Sequence, residues 1–322
     1  MSKVDTATPT AGTPATTRRV SAVVVNWNTE RLLEPCLRSL FDAVDDDVAV
    51  DVVVVDNGST DGSLALLRRD WPAVAVIENA DNRGFTRATN QGIEATTGEN
   101  VLLINTDAEL TPGCLRTMLD RLDGDARAAV VGPRLVYGNG EWQRWTAGRA
   151  PSLASLASFL LFADRLGRRI PALAGLYLGT DTAIAFCPDW VSSACMLVRR
   201  EAFDEVGLLD ERIFVYMDDV ELCQRVRDAG WRVWYEPGAV AVHLMGQSSA
   251  RPTRAPSKEA LLALNRYFAQ GHGRAQVLAL RAVEAVGFGL RAGLYAVRTG
   301  GDSRTRARGH WASAKISVGS GR

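Results

Sequence analysis

Histidine and cysteine are scarce in this chain. Its 322 residues include 3 histidines and 5 cysteines. Cys36, Cys114, Cys187, Cys195 and Cys223 are irregularly spaced, with no CxxC pair. That excludes a zinc cluster and a disulfide scaffold and is the pattern of reduced, mostly buried thiols. Long apolar runs are also missing. The longest uncharged stretch of apolar character, Ala150–Ala163, has 14 residues, against roughly 20 for a spanning helix. The opening MSKVDTATPTAGTPATTRR has no apolar segment of the secretory type, so the expected location is the cytoplasm. Neither GxGxxG nor GxxxxGK[ST] occurs, which argues against a dinucleotide fold and a Walker ATPase. Net charge is absent as well: 37 Lys+Arg balance 37 Asp+Glu. The whole chain therefore has no bias toward nucleic acid or an anionic membrane.

What is present is a 47% hydrophobic, 23% charged composition, ordinary for a soluble globular protein. Residues 1–18 are Thr/Ala/Pro-rich and predict a disordered segment. From there strands and helices alternate. VSAVVVNWN and VAVDVVVVD are β-branched runs of the kind buried in parallel sheets. Helical spacing covers Glu30–Ala43, Leu64–Asp70, Thr86–Ala95 and Thr111–Leu122, with strands at Val74–Glu78 and Asn100–Asn105 between them. This alternation predicts an α/β fold, a mostly parallel sheet flanked by helices. Ligands bind beyond the carboxyl ends of such strands. Three strands here end in polar residues: Asn26-Trp27-Asn28, Asp56-Asn57-Gly58-Ser59 and Asn105-Thr106-Asp107. Further on, Trp190–Arg199 predicts a strand, Trp231–Tyr235 and Ala239–His243 two short ones, and 257–270 and 275–298 helices.

Four motifs carry chemistry. VVDNGSTDGS offers Asp56 at a strand end and a turn of exposed amides, although an ordinary Asp/Asn/Gly/Ser turn has the same composition. Asp107 at a strand tip suits Mg²⁺ or Mn²⁺ carrying a diphosphate, since hard cations share oxygen ligands with phosphate; a helix N-cap is the plainer reading. Asp218, Asp219 and Glu221 crowd three carboxylates together, which raises one pKa toward that of a general base. The same acids would also cap a helix. His243 closes an apolar strand as either a rim residue or a metal ligand.

In order along the chain, VVVNWN, VVDNGSTDGS, NRGF…N, NTDAEL, WVSSACMLVRR, F.YMDDVELCQR and H..GQS resemble the family 2 inverting glycosyltransferases of the GT-A fold. Among them the bacterial rhamnosyltransferase-type enzymes are the most similar. The resemblance covers about residues 19–250. It implies a nucleotide-binding half at about 19–125 and an acceptor half at about 126–265. Val25, Asn26, Asn28, Asp56, Asn57 and Thr106 would hold the base and ribose side. Asn82, Arg83, Gly84 and Asn90 would line the phosphate side. Asp107, with Asn105 and His243, would bind a divalent metal (Mg²⁺ or Mn²⁺). Asp219 would be the catalytic base, with Asp218 beside it and Glu221 supporting the acceptor, and Trp190 and Ser193 would lie near the sugar and acceptor. Partners implied are a nucleoside-diphosphate sugar donor and a glycan or lipid-linked acceptor. Three positions depart from the family pattern: Asn105 replaces the first acid of DxD, Asp218 a Glu, and Ser193 a Gly. Competing readings are a binding protein that has lost catalysis and a sugar nucleotidyltransferase. The second would need a Gly-rich basic loop where NWNTE stands. A nucleic-acid binder would need aromatics among its basic residues.

The zero net charge conceals a division. Residues 266–322 hold ten Lys/Arg and two acids, whereas residues 1–265 hold 27 and 35. In 275–298, Val283, Val286, Leu290, Leu294 and Val297 share one helical face, and Arg281, Glu284, Arg291 and Arg298 lie opposite. Residues 266–300 are therefore expected to form an amphipathic helical extension, and 301–322 a basic disordered tail. The extension would either dock on the catalytic body or touch the inner face of the cell membrane.

Overall fold

The computed structural model describes residues 17–44, 47–167, 169–170, 173, 175–244, 257–298 and 303–319. Residues 246–248 of the H..GQS motif and all of 1–16 lie outside these ranges.

One eight-stranded sheet organises the molecule. Its strands, in chain order, are β1 (Arg18–Asn26), β2 (Val48–Asp56), β3 (Ala75–Glu78), β4 (Asn100–Asn105), β5 (Ala108–Leu110), β6 (Ala128–Val136), β9 (Cys195–Arg199) and β10 (Arg232–His243); β7 (Ala147–Gly148) and β8 (Trp190–Val191) pair separately. The spatial order is β3-β2-β1-β4-β9-β6-β10-β5. β1 runs parallel to β2 and β4, and β10 to β6. β9 is antiparallel to both its neighbours, and β5 to β10.

Alternation along the strands explains the layers. Val20, Ala22 and Val24 of β1 face one apolar cluster, with Leu33, Leu37 and Leu40 of α1 (Glu30–Asp42) and Leu115, Met118 and Leu119 of α4 (Cys114–Gly124). Val23 points the other way, to Ile93 of α3 (Phe85–Glu94), Phe203 of α6 (Arg200–Val206) and Leu222, Cys223 and Val226 of α7 (Asp218–Asp228). α2 (Ser63–Asp70) adds Leu67 to the first layer. Buried on both faces, the strands read as continuous apolar runs.

Several elements differ from expectation. The Trp190–Arg199 strand is broken at Ser192–Ala194, and its second part runs antiparallel. The two strands around Pro237-Gly238 are one strand, β10, with a register shift between Glu236 and Val240. There the proline lacks a donor, and Glu236 Oε1 accepts from the Gly238 amide at 3.1 Å. β6, at the expected boundary between the two halves, lies inside the shared sheet. Its run AAVVGPRLV carries the apolar signal of a buried strand.

The basic tail expected to be disordered is helical over Ser303–Ser317 (α10). Its sequence is poor in large apolar residues, but Ser313, Ala314 and Ser317 are small enough to pack closely. Ala314 joins Leu160, Leu261 and Phe288 in one cluster. This links α10 to α5 (Leu153–Leu160), α8 (Lys258–Gly271) and α9 (Arg274–Ala296). α9 buries Leu280, Phe288 and Ala292 against the body, and two charged residues beside them. Its charged residues Glu284 and Arg291 are 0% and 8% exposed. Asn265 Nδ2 donates to Glu284. Arg291 donates to the carbonyls of Leu160 and Phe159, which close the C-terminus of α5. Burial holds its guanidinium pKa below the usual value.

Arg291→Met keeps the aliphatic stem but leaves those carbonyls unpaired. Unfolding in urea should show a loss of about 2–3 kcal/mol.

Candidate functional site

The carboxyl ends of β1, β2 and β4 meet in register, with Asn26 beside Asp56 and Val25 beside Asn105. Asn26 Nδ2 donates to Asp56 Oδ2 at 2.7 Å and to Ser59 Oγ at 3.0 Å. Thr29 Oγ1 donates to Asn26 Oδ1 at 2.6 Å and lies 3.0 Å from the Thr106 hydroxyl. Asn28, in the left-handed region at φ 54°, accepts from the Thr60 amide at 2.7 Å. Asp56 is fully buried, and its second oxygen accepts from the Ser59 amide at 2.9 Å. In this structure Asp56 and Asn26 therefore shape the turn from within, while Trp27 stands 47% exposed at its rim.

A second layer of amides holds the loop 79–84. Asn57 donates to Asn82 Oδ1 and to the Gly84 carbonyl, and accepts from Asn79 and from the Arg83 amide. Gly84 adopts φ +90°, and a Cβ there would lie 2.9 Å from the Phe214 carbonyl. Only glycine fits. The Phe85 amide donates to that carbonyl at 2.7 Å. Asn90, expected at the phosphate side, is buried and exchanges hydrogen bonds with both backbone groups of Leu209. It fastens α3 to the loop that leads into α7. Arg83 remains 48% exposed. It lines an open cleft of about 540 Å³ with Asn82, Arg87, Gln91 and Glu211. Neither Asp107 nor Asp219 lines that cleft.

Asp107 Oδ1 faces His243 Nε2 at 3.4 Å, both side chains largely buried. Gln143, which the sequence reading missed, decides the chemistry of this pair. Its Nε2 donates to the His243 carbonyl at 2.5 Å, so its Oε1, 3.0 Å from His243 Nδ1, must accept. Nδ1 therefore carries a hydrogen, and Nε2 is the ring atom turned toward the Asp107 carboxylate. A proton or a cation can be shared between those two atoms. One carboxylate oxygen and one imidazole nitrogen fit a divalent ion whose other positions are taken by phosphate and water. Among the described residues no group of three or more His, Cys, Asp and Glu side chains forms a complete cage. Asn105, half-buried at the end of β4, is tied through its backbone amide to the Ala194 carbonyl at 3.0 Å.

That bond leads to the acids. Ser193 Oγ donates to Asp218 Oδ2 at 2.8 Å. Tyr216 and Met217, at φ 65° and 67°, make a left-handed turn into α7 and place Asp218 and Asp219 in its first turn. Burial, and then the neighbouring Asp218, push the Asp219 carboxyl up to about 8. The amides of Val220 and Ser193 oppose this. Burial also raises Asp218, against the Ser193 hydrogen bond. Glu221, expected to support the acceptor, is ion-paired within α7. Both its oxygens accept from Arg225, at 2.6 and 2.8 Å, and Arg225 also binds the carbonyls of Val206, Gly207 and Leu208. Glu221 is thus part of the clamp on that loop.

Trp190 is 4% exposed and donates to the Arg149 carbonyl. It backs an aromatic cluster that the sequence did not reveal. Tyr177 packs edge-on against Trp145, Phe159 and Trp190, with ring centroids 4.8, 5.3 and 5.9 Å away. Burial and the charge of Asp219 push the Tyr177 phenol up to about 12. Trp145 is the exposed member, at 37%.

The model of the Glycosyl transferase family 2 matches residues 21–207. This chain is a family 2 glycosyltransferase. The transferase is 31% identical over 241 residues to the N-acetylglucosaminyl-diphospho-decaprenol L-rhamnosyltransferase of Mycobacterium tuberculosis, covering 71% of this chain and 77% of that protein. It is 28% identical over 199 residues to the pre-mycofactocin glycosyltransferase of the same species, covering 60% and 37%. Its fold is GT-A. The mannosyltransferase PcManGT of Pyrobaculum calidifontis, solved with GDP-Man and Mn²⁺, superposes with a TM-score of 0.54 at 17% identity, over 94% of this chain and 86% of that one. GalNAc-T7 with UDP, GalNAc and Mn²⁺ gives 0.57 at 17% identity, over 89% and 53%.

The raised Asp219 pKa has a consequence for stability. A folded value above the unfolded one stabilises the protein below about pH 4, and that contribution is lost as pH rises through about 8. Asp219→Asn should therefore be more stable than wild type at pH 8, by about 1–3 kcal/mol. Thermal melts at pH 8 and pH 4 should show the difference at the first and its disappearance at the second.

Proposed function

We propose that this glycosyltransferase moves a sugar, with inversion, from a nucleoside-diphosphate donor to a hydroxyl of a lipid-linked glycan in cell-wall polysaccharide synthesis. Asp219 is the base. The observation that carries this reading is the Asp218–Asp219 pair in the first turn of α7, Asp218 buried and Asp219 partly so, tied through Ser193 to the segment beside the β4 exit. A carboxyl raised toward neutral pH is suited to proton acceptance. The mycobacterial rhamnosyltransferase suggests L-rhamnose as the sugar and a polyprenyl-diphosphate-linked N-acetylglucosamine as the acceptor.

Asp219 takes the acceptor hydroxyl's proton while that oxygen bonds to the anomeric carbon. The bond from that carbon to the diphosphate breaks, its electron pair leaves with the nucleoside diphosphate, and configuration inverts. Val25, Asn26, Asn28, Asp56, Asn57 and Thr106 form the base and ribose end. Asn82, Gly84 and Asn90 hold that side of the cleft, and Arg83 offers charge to the diphosphate. Trp145 and Ser193 border the acceptor, with Trp190 behind. Asp107 and His243, with Asn105 nearby, would hold a divalent cation, which supplies positive charge to the departing diphosphate. Gln143 fixes the ring of His243 so that Nε2 would be the atom offered to the cation.

Donor turnover tests the reading directly. A panel of nucleotide sugars with the lipid-linked acceptor should give diphosphate release selectively from a nucleoside-diphosphate rhamnose, and an inverted linkage by NMR. Asp219→Asn should keep donor binding and lose about 10²–10⁴-fold in rate. Near-wild-type transfer by this variant would remove Asp219 as base. In wild type, kcat/KM should rise with pH toward about 8, because the carboxyl must be ionised to act.

The Gln143 arrangement yields a separate measurement. Gln143→Leu should weaken Mn²⁺ binding about 10–100-fold, read by calorimetry without turnover. Unchanged affinity would dissociate His243 from the metal.

A further inference from the structure

We propose that the outward face of α9 is a membrane-docking surface, which lays the enzyme on an anionic bilayer without crossing it. The helix docks through Leu280, Phe288 and Ala292 and presents a second set of large apolar side chains to solvent. Leu278, Val286, Leu290, Leu294 and Val297 are 65, 55, 51, 52 and 81% exposed. Glu284 and Arg291, the charges that would oppose insertion, are turned inward and satisfied by Asn265 and the α5 carbonyls. Between Arg274 and Arg298, Arg281 is the one remaining charged residue. Singly exposed apolar residues need no explanation, but five large ones along one helix do.

Two observations identify the occupant as lipid. The first is charge. Arg274 and Arg281 on α9, Arg298 just past its end, and Arg304, Arg308 and Lys315 on α10 are exposed, within a segment that carries ten cations and two acids. A row of apolar side chains bordered by cations complements acyl chains under anionic head groups. A second copy of the same basic surface would meet it with like charge. The second is position. Arg291 grips the end of α5 at Phe159 and Leu160, and Phe159 packs on Trp145 and Tyr177. The apolar face is thus one helix away from the aromatic cluster beside Asp219. No helix among the described residues is long and apolar enough to cross a membrane, so attachment is to one leaflet.

The docking surface stands independently of the transfer chemistry, and its test needs no turnover. The full-length chain is sedimented with phosphatidylglycerol-containing and with pure phosphatidylcholine vesicles. Binding to the anionic vesicles is expected, at least about tenfold weaker to the neutral ones and weakened by salt. Val286→Asp/Leu290→Asp replaces only exposed side chains, so its melting temperature and Mn²⁺ affinity should match wild type while vesicle binding falls at least tenfold. Binding of that variant equal to wild type, or no sedimentation of wild type with anionic vesicles, overturns the proposal. So does a wild-type dimer in ultracentrifugation that the variant abolishes while neither form binds vesicles; that result would assign the face to a second copy.

Discussion

The turn that sets two consecutive carboxylates at the start of α7, Asp218 buried and Asp219 partly exposed, is the constraint around which the neighbouring segments are arranged. Desolvation disfavours the ionised state, so Asp218 and Asp219 stay in place only because the surroundings overdetermine them. Ser193 donates to one of them, and two backbone amides oppose the shift on the other. Two consecutive left-handed residues set the turn. The loop before that turn is fastened from three sides: by Arg225 and Glu221 from α7, by Asn90 from α3, and by the meeting of Gly84 and Phe85 with Phe214. Residues that look like separate donor-side and acceptor-side motifs in the sequence share this task.

The parts legible in the sequence are those where a local pattern has one physical solution. Buried parallel strands read as β-branched runs, and the polar exits of β1, β2 and β4 meet at one edge of the sheet. Asp107, His243 and the acid cluster could be picked out because their chemistry is unusual at a strand tip or a helix start. What escaped has nonlocal causes. Gln143 is an unremarkable glutamine until the fold places it against a histidine 100 positions away. Asn90 and Glu221 carry the right chemistry, but their partners, Leu209 and Arg225, turn that chemistry to holding the loop. Tyr177 and Trp145 are ordinary aromatics until the fold stacks them edge-on and brings one within the field of Asp219.

The C-terminal helices show the same limit more sharply. Periodicity identified α9 and its two faces, but not which face would turn inward. The Arg291 guanidinium, matched to two helix-end carbonyls, turns inward beside Leu280, Phe288 and Ala292, a surface that mixes the two expected faces. α10 has little apolar character of its own and depends on close packing by small residues. A sequence reading that weighs only hydrophobicity calls such a segment disordered.

β9 stands between the parallel strands of the N-terminal segment and those that follow residue 126, running against both. Ile104 pairs with Cys195 and Val131 with Leu197 in one unbroken hydrogen-bonded surface. A seam of this kind has no hinge. The strands on either side of β9 cannot open like the lobes of a two-domain enzyme, because separating them would break a central ladder. Any closing of the cleft around its reactants falls to the connections at the sheet's edge, and the strands behave as a fixed anvil.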